Sequence, residues 1–561
     1  MAIRTASGGE RLLVSLLLAY IAFTTLWPLA ELFATGFQPG DDGAFLGLFT
    51  ETLASRATAR ALGGSLYTSG LSVAISVILG ASLAFAISLL KLRTQGALTF
   101  LILMPLIVPS QTMALAWIEL FGANSPILNL IGMAPAPGTT NPLYSAGGIA
   151  LVMGVEHMPL VFMATRVALR SLPADLVEAA RILGIPGRRI ATGVILPVVM
   201  PSVLAGSLVA FSAAIGNFGV PALLGIPGRV SVLTTLIYQR LNGFGQSAAG
   251  QVAVLALLLT FIAVLSLMLR GFVMRKIAVP MPSGKPYEPT RRLMPVEIAL
   301  WIVVLVIAVA PLAALTMTAL LPAIGVSFEL ETVNLTQFTT ALGNATILRA
   351  FFNSIGLSLF TAIIGVLVAI PFAYLSVRRP GPLVKAMDIM VEAPWIIPGT
   401  VVALGMILAF LQPLPIVGVS LYGTMAILTV AYLARFLPLV LRPVTAAAST
   451  VDPALDEAGR IAGAGLTHRL TQIFLPNLLP AAIGGAIVVM MTALNELTLS
   501  ALLWSSGHET IGVMIFALQY EGNSTQAAAV AVTSTAVVFA LAGSGTLLSR
   551  RLPPGSLPWR T

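Results

Sequence analysis

Apolar segments long enough to cross a membrane recur along the whole chain, and they constrain its fold more than any other feature of the sequence. A membrane-spanning helix needs roughly 20 apolar residues, and on that criterion the chain has twelve candidate cores. Their approximate limits are residues 12–30, 65–90, 97–121, 146–165, 198–224, 250–270, 296–321, 353–376, 386–411, 421–441, 478–503 and 527–548. Lipid offers backbone groups no hydrogen-bond partner, so these segments predict an all-α membrane protein of about 12 transmembrane helices.

The charged residues favour a membrane protein over a nucleic-acid-binding one. The 561 residues are 57% hydrophobic and 9% charged, with a formal net charge of +9, which is too little charge to cover a soluble globule. The basic residues lie in short loops between the apolar segments. With the amino terminus inside, and with Arg270 and Arg435 near the inner ends of their spans, only five of the 30 Lys and Arg residues fall outside: Arg56, Arg60, Arg229, Arg240 and Arg349. This bias predicts that both termini are cytoplasmic.

The sequence offers little for metal or cofactor chemistry. It has no cysteine and only three scattered histidines, His157, His468 and His508, so we predict neither a metal site nor a cofactor. The first apolar segment follows Arg4 and Arg11, but it is too long for the core of a signal peptide. We therefore interpret it as a retained span.

The chain contains an internal repeat, visible as residues that recur at a fixed offset. At an offset of 279, Glu178, Gly184 and Pro197 recur as Glu457, Gly463 and Pro476. Further upstream the offset is 289, and it pairs Ser65 with Ser354, Pro105 with Pro394, and Pro109 with Pro398. One loop of the first copy should therefore be about ten residues longer, and we place the extra residues in the outer stretch Gly122–Tyr144.

The repeat divides the chain into two halves of six spans each. We predict a first half at residues 1–275, a polar cytoplasmic linker at 276–293 and a second half at 294–561. With six spans per half, both copies enter the membrane in the same sense, so they are parallel repeats about an axis along the membrane normal. A transport pathway along that axis is the expected consequence.

The most specific feature is a cytoplasmic loop between the fourth and fifth spans of each half, at about residues 170–197 and 449–476. In each loop a proline and an aspartate predict the start of a short amphipathic helix, and a glycine about two turns later predicts its end. The defining residues are Glu178, Ala179, Ala180, Gly184 and Pro197 in the first loop and Glu457, Ala458, Gly459, Gly463 and Pro476 in the second. One such loop could be an ordinary connector, but two at the same spacing favour a docking role.

The pattern Glu-Ala-Ala, then Gly, then Leu-Pro resembles the coupling loop of permeases in binding-protein-dependent ABC importers, with Gly459 in place of the usual alanine. The resemblance covers essentially the whole chain and implies the type I importer architecture, working by alternating access in the bacterial inner membrane. It implies as partners two copies of a cytoplasmic ATP-binding subunit, a periplasmic solute-binding protein and the lipid bilayer. The chain has no GxxxxGK[ST] loop. We therefore expect ATP hydrolysis in the partner subunit and no enzymatic activity in this chain.

The fifth span of each half bears on the solute. Segments beginning at Asn217-Phe218 and at Asn495-Glu496 resemble those of fused ferric-iron permeases, while thiamine, phosphonate and polyamine permeases share parts of the pattern. Ferric iron prefers oxygen ligands, and it is the predicted solute with the other three as alternatives. The predicted substrate pathway consists of Asn217, Phe218, Asn495, Glu496 and Thr498.

Glu496 carries most of the pathway hypothesis, because a carboxylate inside an apolar span is costly unless it faces a cavity or a partner. A structural hydrogen bond between helices is the alternative explanation. Other acidic or basic residues near apolar segments, namely Glu119, Glu156, His157 and Glu392, sit close to predicted span ends, where interfacial water would solvate them. The paired prolines in the third span of each half predict kinks, which either shape a gate or serve packing.

Two other function classes are compatible with twelve spans. An ion-coupled secondary transporter would need intramembrane ionisable pairs, whereas this chain places its best-matched repeat in cytoplasmic loops. An intramembrane enzyme would need clustered His, Asp or Cys residues on adjacent spans, which the sequence does not offer.

Overall fold

The structure is a computed structural model that describes residues 8–39, 43–244, 248–276, 285, 287–289, 291–415 and 418–548. Residues 277–284, 286 and 290 of the predicted linker lie outside the described residues. Within these ranges the secondary structure is helical, without strands.

The helices of the first half alternate long apolar spans with short connecting helices. They are α1 (Gly8–Gly36), α2 (Gly47–Ala54), α3 (Arg56–Leu89), α4 (Gln95–Ile107), α5 (Ser110–Phe121), α6 (Pro126–Leu130), α7 (Ala146–Arg170), α8 (Ala174–Ile182), α9 (Gly187–Ile215), α10 (Leu233–Phe244) and α11 (Ala249–Lys276).

The second half repeats this order closely. Its helices are α12 (Met294–Ala319), α13 (Thr336–Gly343), α14 (Ala345–Arg378), α15 (Pro382–Ile396), α16 (Gly399–Phe410), α17 (Met425–Thr450), α18 (Pro453–Ile461), α19 (Leu466–Ala493), α20 (Ile511–Tyr520) and α21 (Ser524–Leu548). Residues 122–145 between α5 and α7 are ten more than residues 411–424 between α16 and α17, as the change of offset predicts.

Ten of the described helices are long and apolar enough to cross a membrane, and two sharply bent pairs raise the number to twelve if each pair is one span. The predicted all-α membrane fold is therefore confirmed. The bent pairs are α4 with α5 and α15 with α16, at 106° and 109°, so the bend that the paired prolines predict is present, as a break between two helices. Pro109 and Pro398 lack an N–H and hold the residue before them extended, so each ends one helix and begins another.

The fifth spans also differ from their predicted limits. Helices α9 and α19 begin at residues 187 and 466, well before the predicted cores, and end at Ile215 and Ala493. Pro197 and Pro476 therefore lie inside these helices, just after a π-helical turn at Ala191–Ile195 or Leu470–Phe474. Each turn absorbs the backbone hydrogen bond that the proline cannot make.

The first span of each half packs against the other half. The outer part of α1 lies on α16, so closely that a Cβ on Gly405 would come within 2.9 Å of the Pro28 carbonyl oxygen. The second part of α12 packs on α5 in the same way. The two halves are therefore interlocked, and each completes the outer wall of its neighbour.

The start of α1, the linker residues and helices α8 and α18 share one end of the bundle, which we call the linker end. Glu10 of α1 reaches Arg460 of α18 at 3.6 Å, and the backbone N–H of Ala174 donates to the carbonyl of Lys285 at 2.9 Å. The four features that the sequence predicts to be cytoplasmic thus lie on the same side.

Candidate functional site

Helices α8 and α18 occupy equivalent positions at the linker end, where the sequence predicts two short amphipathic helices. The side chain of Asp452 caps α18 by accepting a hydrogen bond from the N–H of Ala454 at 2.9 Å. Each helix is followed by a glycine in the left-handed region, Gly184 at φ +73° and Gly463 at φ +78°, where a glycine can reverse the chain without strain. The predicted start and stop signals of both helices are confirmed.

The surface of these two helices combines acidic, small and apolar side chains. Glu178, Ala179, Glu457 and Ala458 are exposed. Ile182 and its equivalent Ile461 end the helices and are 86% and 88% exposed. The two helices thus present the same kind of exposed apolar side chain at equivalent positions of the repeat.

Apolar packing and the linker hold α8 in place. Val177 and Ala180 are buried beneath the helix, in one cluster with Ile190 of α9. Besides the bond from Ala174 to Lys285, the N–H of Tyr287 donates to the carbonyl of Leu172 at 2.9 Å. The tyrosine hydroxyl accepts a hydrogen bond from Arg181 at 2.8 Å. The linker therefore runs against the base of this helix.

A buried ionic network holds α18 in place. Asp456 of α18 pairs with Arg469 of α19 at 2.5 Å and with Arg460 at 2.8 Å. Both guanidinium groups donate to the hydroxyl of Tyr374, at 3.0 and 3.1 Å, and this hydroxyl donates to Glu10 at 2.8 Å.

Glu10 ties the network to the first half. It pairs with Arg379 at 3.2 Å and lies within 3.8 Å of Arg469. Glu10, Asp456 and Arg469 are at most 3% exposed, so each charge depends on its neighbours for stabilisation.

We call the contacts that hold α8 and α18 in place their anchors, and the residues of the two anchors occupy corresponding positions of the repeat. Val177, Ile190 and Phe85 of the first half correspond to Asp456, Arg469 and Tyr374 of the second. The departure of Gly459 from alanine also has a structural reason. A Cβ there would lie 3.2 Å from Ile473 and 3.3 Å from the side chain of Arg469, so glycine leaves room for the arginine.

A cavity of about 390 Å³ lies between the two halves, at the bends of α4–α5 and α15–α16. Its polar lining residues are Ser110, Gln111, Glu156, Thr492, Asn495, Glu496 and Thr498. The remaining wall is mostly aliphatic and includes Trp395. Gln111 bridges the halves, because its amide donates to the backbone carbonyl of Asn495 at 2.8 Å.

Glu156 is a cavity residue that the sequence analysis assigned to the membrane interface, and that interpretation is wrong. It lies well inside α7, where it is buried. Its carboxylate accepts a short hydrogen bond from the hydroxyl of Ser110 and bonds from the Asn217 amide at 3.1 and 3.3 Å. All of these donors are neutral.

Arg435 also lies away from the inner end where the sequence analysis placed it, in the middle of α17. Its guanidinium donates to the carbonyls of Pro394 and Ile397 at 3.0 Å each. Both carbonyls lie at the end of α15, and Pro398 has no N–H to donate to the carbonyl of Pro394, four residues earlier. The side chain thus stabilises the bend between α15 and α16.

The predicted pathway residues divide into two groups. Asn495, Glu496 and Thr498 line the cavity, whereas Asn217 and Phe218 do not. Asn217 lies behind Glu156, and Phe218 packs against Tyr238 and Phe516, with ring centroids 5.2 and 6.2 Å apart. Glu496 lies in a break after α19, where its carboxylate accepts the N–H of Leu499 at 3.0 Å, and not inside a continuous span as predicted.

The other acidic residues assigned to the interface have protein partners. Thr318 of α12 donates to Glu119 at 3.0 Å, and Glu392 pairs with Arg442. The offset of 279 residues would have revealed the relation that the sequence analysis missed. It aligns Glu156 with Arg435 and Asn217 with Glu496, so three of these four corresponding positions carry a charge.

Comparison with known proteins adds independent information. A family described as "Binding-protein-dependent transport system inner membrane component" matches at residues 76–279 and again at 362–554, one match in each half. The probable ABC transporter permease protein y4fN of Sinorhizobium fredii is 29% identical over 408 residues, which cover 71% of this chain and 70% of the relative.

Two further relatives carry solute names. The putative ferric transport system permease protein FbpB 1 of Haemophilus influenzae is 23% identical over 511 residues, or 88% of this chain and 78% of the relative. The molybdenum transport system permease protein ModB of Escherichia coli is 29% identical over 125 residues, or 22% of this chain and 55% of the relative. Similarity to relatives with such different solutes leaves the solute to be inferred from the site.

Proposed function

The chain belongs to the family of binding-protein-dependent transport system inner membrane components, and from this premise we propose that it is the permease subunit of an ATP-driven importer whose ATPase is a separate protein. The observation that carries the proposal is the pair of equivalent helices α8 and α18. Both lie at the linker end, and each ends in an isoleucine more than four-fifths exposed. A pair of equivalent docking helices fits two copies of one cytoplasmic ATP-binding subunit.

In this proposal the linker end faces the cytoplasm, and the chain crosses the bacterial inner membrane with both termini inside. Closure of the two ATP-binding subunits would draw α8 and α18 together and open the central cavity to a periplasmic solute-binding protein. ATP hydrolysis would then reset the permease. No residue of this chain takes part in covalent catalysis.

Ferric iron is the solute that we propose first. Two relatives named as ferric permeases align over most of this chain, and the cavity presents carboxylate and amide oxygens, which hard cations prefer. Thiamine and a polyamine are also cationic and remain alternatives of the same class. A phosphonate fits less well because the cavity lining carries two carboxylates and, among the residues that the structure describes, no basic side chain.

Asn495, Glu496 and Thr498 form the pathway in this proposal, and Asn217 and Phe218 support it from behind. We expect Glu496→Gln to lower uptake while the complex still assembles and hydrolyses ATP at its basal rate. Unchanged uptake would instead favour a purely structural role, in which the glutamate caps the turn at Leu499.

Reconstitution with the ATP-binding subunit encoded for the same importer tests the docking role. We expect Ile182→Asp and Ile461→Asp each to weaken co-purification of that subunit and stimulation of its ATPase activity. The matched control is Leu330→Asp, which changes a 98% exposed leucine in the loop after α12. Normal docking of both isoleucine variants would contradict the proposal, and uptake that persists without the ATPase would favour an ion-coupled transporter.

The solute is tested separately through the partner that captures it. The periplasmic binding protein of the same system, purified without added ligand, should retain iron that elemental analysis detects. Retention of thiamine, a polyamine or a phosphonate would replace iron in the proposal and leave the ATP-driven mechanism intact.

A further inference from the structure

The central cavity contains a carboxylate with no charged partner among the described residues. Glu156 is 7% exposed and makes no ion pair within the part of the chain that the structure describes. Its hydrogen-bond donors, Ser110 and Asn217, are neutral. A carboxylate held away from water by neutral groups is costly unless a positive charge approaches it.

The repeat shows that this charge is specific to the first half. The offset of 279 places Arg435 where the first half has Glu156, and Glu496 where it has Asn217. The local packing is exchanged as well. In the first half Ser110 contacts Gly219. In the second half the corresponding pair is Gly399 and Thr498, so the glycine is on the other side of the contact. A Cβ on Gly399 would lie 3.3 Å from the guanidinium of Arg435.

The four aligned positions therefore hold two carboxylates and one guanidinium. Glu156 and Glu496 both line the cavity, and Arg435 does not. The guanidinium is engaged by the carbonyls of Pro394 and Ile397 and lies over Trp395 at 5.8 Å. The four positions together therefore carry a formal charge of −1, and both of the carboxylates line the cavity while the guanidinium does not.

A second observation points independently to a ligand. The side chain of Asn495 lines the cavity and is 4% exposed, yet neither its amide nitrogen nor its oxygen has a hydrogen-bond partner among the described residues. Its backbone is fixed by the bond from Gln111. Buried amides are nearly always hydrogen-bonded in native proteins, so this amide, in the wall that Glu156 and Glu496 also line, lacks a partner that a ligand could supply.

We propose that Glu156, Asn495 and Glu496 form a transient site for the positive charge of the transported solute, so that the cavity admits cations and rejects anions. The described residues contain no group of three or more His, Cys, Asp or Glu that could enclose a metal ion. The site therefore attracts a charge without a complete coordination shell, which lets the solute leave again. This inference rests on the proposed transport function and names the class of solute.

A hydrated metal ion and an organic ammonium group share this chemistry, and one probe distinguishes them. Tb³⁺ is a hard trivalent cation whose luminescence is sensitised by nearby tryptophan, and Trp395 is in the cavity wall. We expect the full chain in nanodiscs to bind Tb³⁺ with a signal that Trp395→Phe removes. Displacement by spermidine indicates an ammonium site, displacement only by Ga³⁺ a metal-ion site, and both results support a cation site.

Charge-neutralising variants identify the residues. Glu156→Gln should weaken Tb³⁺ binding at least about tenfold, as expected for loss of a charge-assisted contact. Glu119→Gln is the matched control, because it removes a carboxylate of the same half that does not line the cavity. Asn495→Ala should weaken binding by a smaller factor, and it breaks no side-chain hydrogen bond among the described residues, so it also tests the site if Glu156→Gln misfolds.

The result that overturns the inference is Tb³⁺ binding unaffected by all of the cavity variants, or displacement by molybdate and by no cation. Stimulation of the partner ATPase is measured on the same samples. If Glu156→Gln stimulates the ATPase normally and binds Tb³⁺ like the wild type, the cation site is wrong and the importer stands. If the wild type itself never engages the ATPase, the proposed function fails, whatever the cavity binds.

Discussion

Helices α8 and α18 have the same length, the same place in the repeat and the same glycine stop, yet they are fastened to the bundle by opposite chemistry. Val177 and Ile190 fasten α8 by apolar contact, whereas Asp456 and Arg469 fasten α18 by a buried ion pair. The comparison teaches that two copies of one backbone can hold the same helix in place with entirely different contacts, apolar in one copy and ionic in the other. Only a complete exchange keeps each member satisfied, since a single charge among apolar neighbours would be unpaired.

The difference also changes what each helix depends on. Apolar packing beneath α8 is local to the first half, with support from the linker at Tyr287. The network beneath α18 needs Glu10, which belongs to the first half. Helix α18 is therefore coupled to both halves through charge, and variants of the two contact sets separate the two modes of attachment.

Arg469→Ala should have the largest effect. It leaves Asp456 and Glu10 buried with fewer partners, and breaking a buried ion pair costs about 3–5 kcal/mol. Thermal or denaturant unfolding of the purified chain in detergent measures the loss. Ile190→Ala is the equivalent change in the first half, where we expect about 2–4 kcal/mol from lost apolar burial. A larger loss for Ile190→Ala would show that the ionic anchor is the weaker one.

Glu10→Gln should have an intermediate effect. It keeps the size of the side chain and removes the charge that faces Arg379, Arg460 and Arg469, for which about 1.5–3 kcal/mol is expected. The start of α1 should also become accessible to protease before the rest of the chain. Glu31→Gln in the same helix is the control, because Glu31 accepts only a bond from Trp27 at 3.2 Å among its described contacts. Equal losses of stability in Glu10→Gln and Glu31→Gln would contradict the role of Glu10 in the ionic network beneath α18.

Transplanting the first anchor into the second half should cost less than removing one charge. The triple change Tyr374→Phe, Asp456→Val and Arg469→Ile gives α18 the residues found beneath α8. Glu10 keeps Arg379 and Arg460. Since apolar replacement of a buried ion pair is often neutral or better, we expect the triple variant to unfold at a higher temperature than Arg469→Ala. The reverse order would mean that the two anchors are not interchangeable.

The smallest effect concerns the opposite end of the second half, where Arg349 pairs with Glu509 at 3.1 Å. Burial raises the pKa of Glu509, but hydrogen bonds from the Gly507 N–H and from Arg349 outweigh it, so the pKa lies below its ordinary value of 4.5. The ionised carboxylate therefore stabilises the fold above pH 4.5, and this contribution is lost as the pH falls through the lowered pKa.

Comparison with Glu509→Gln tests this contribution. Because Arg349 is largely exposed, the wild type should be more stable at pH 7 by no more than about 1 kcal/mol. The difference should shrink below pH 4.5 and vanish in stronger acid. A difference that grows on acidification would mean that the pKa is raised. The first half has the uncharged Ser231 at the position that corresponds to Glu509. The correspondence follows from two equivalent hydrogen bonds, in which Ser65 accepts from the N–H of Leu233 and Ser354 accepts from the N–H of Ile511.

Much of the architecture could be predicted from the sequence, because spans and helix caps are encoded by neighbouring residues. Apolar length located the spans, and the glycines at positions 184 and 463 located the ends of α8 and α18. The complete breaks at the 106° and 109° bends could not be predicted, because a proline pair permits both a kink and a complete break, and tertiary packing decides between them. The ends of α9 and α19 were misplaced because hydropathy continues through the breaks.

The cavity was only partly predictable. Glu496 stood out as a charge in an apolar run, but Glu156 was assigned to water because its distance from a span end depends on a boundary that hydropathy locates poorly. Arg469 and Asp456 lie in a polar loop, where charges are ordinary, and nothing local indicates that they are buried. Their relation to Glu10 joins residues more than 440 positions apart, which no sequence pattern reports.

The exchange of α1 and α12 between the halves has a consequence for how the protein can be divided. If the chain were cut in the linker, each fragment would carry a first helix that packs against the other half. Each fragment would also lack the helix that completes its own outer wall. Fragments made separately would expose these gaps to lipid, whereas fragments produced together could trade helices and re-form the bundle. Synthesis as a single polypeptide removes the need for two fragments to find each other and fixes the ratio of the halves at one to one.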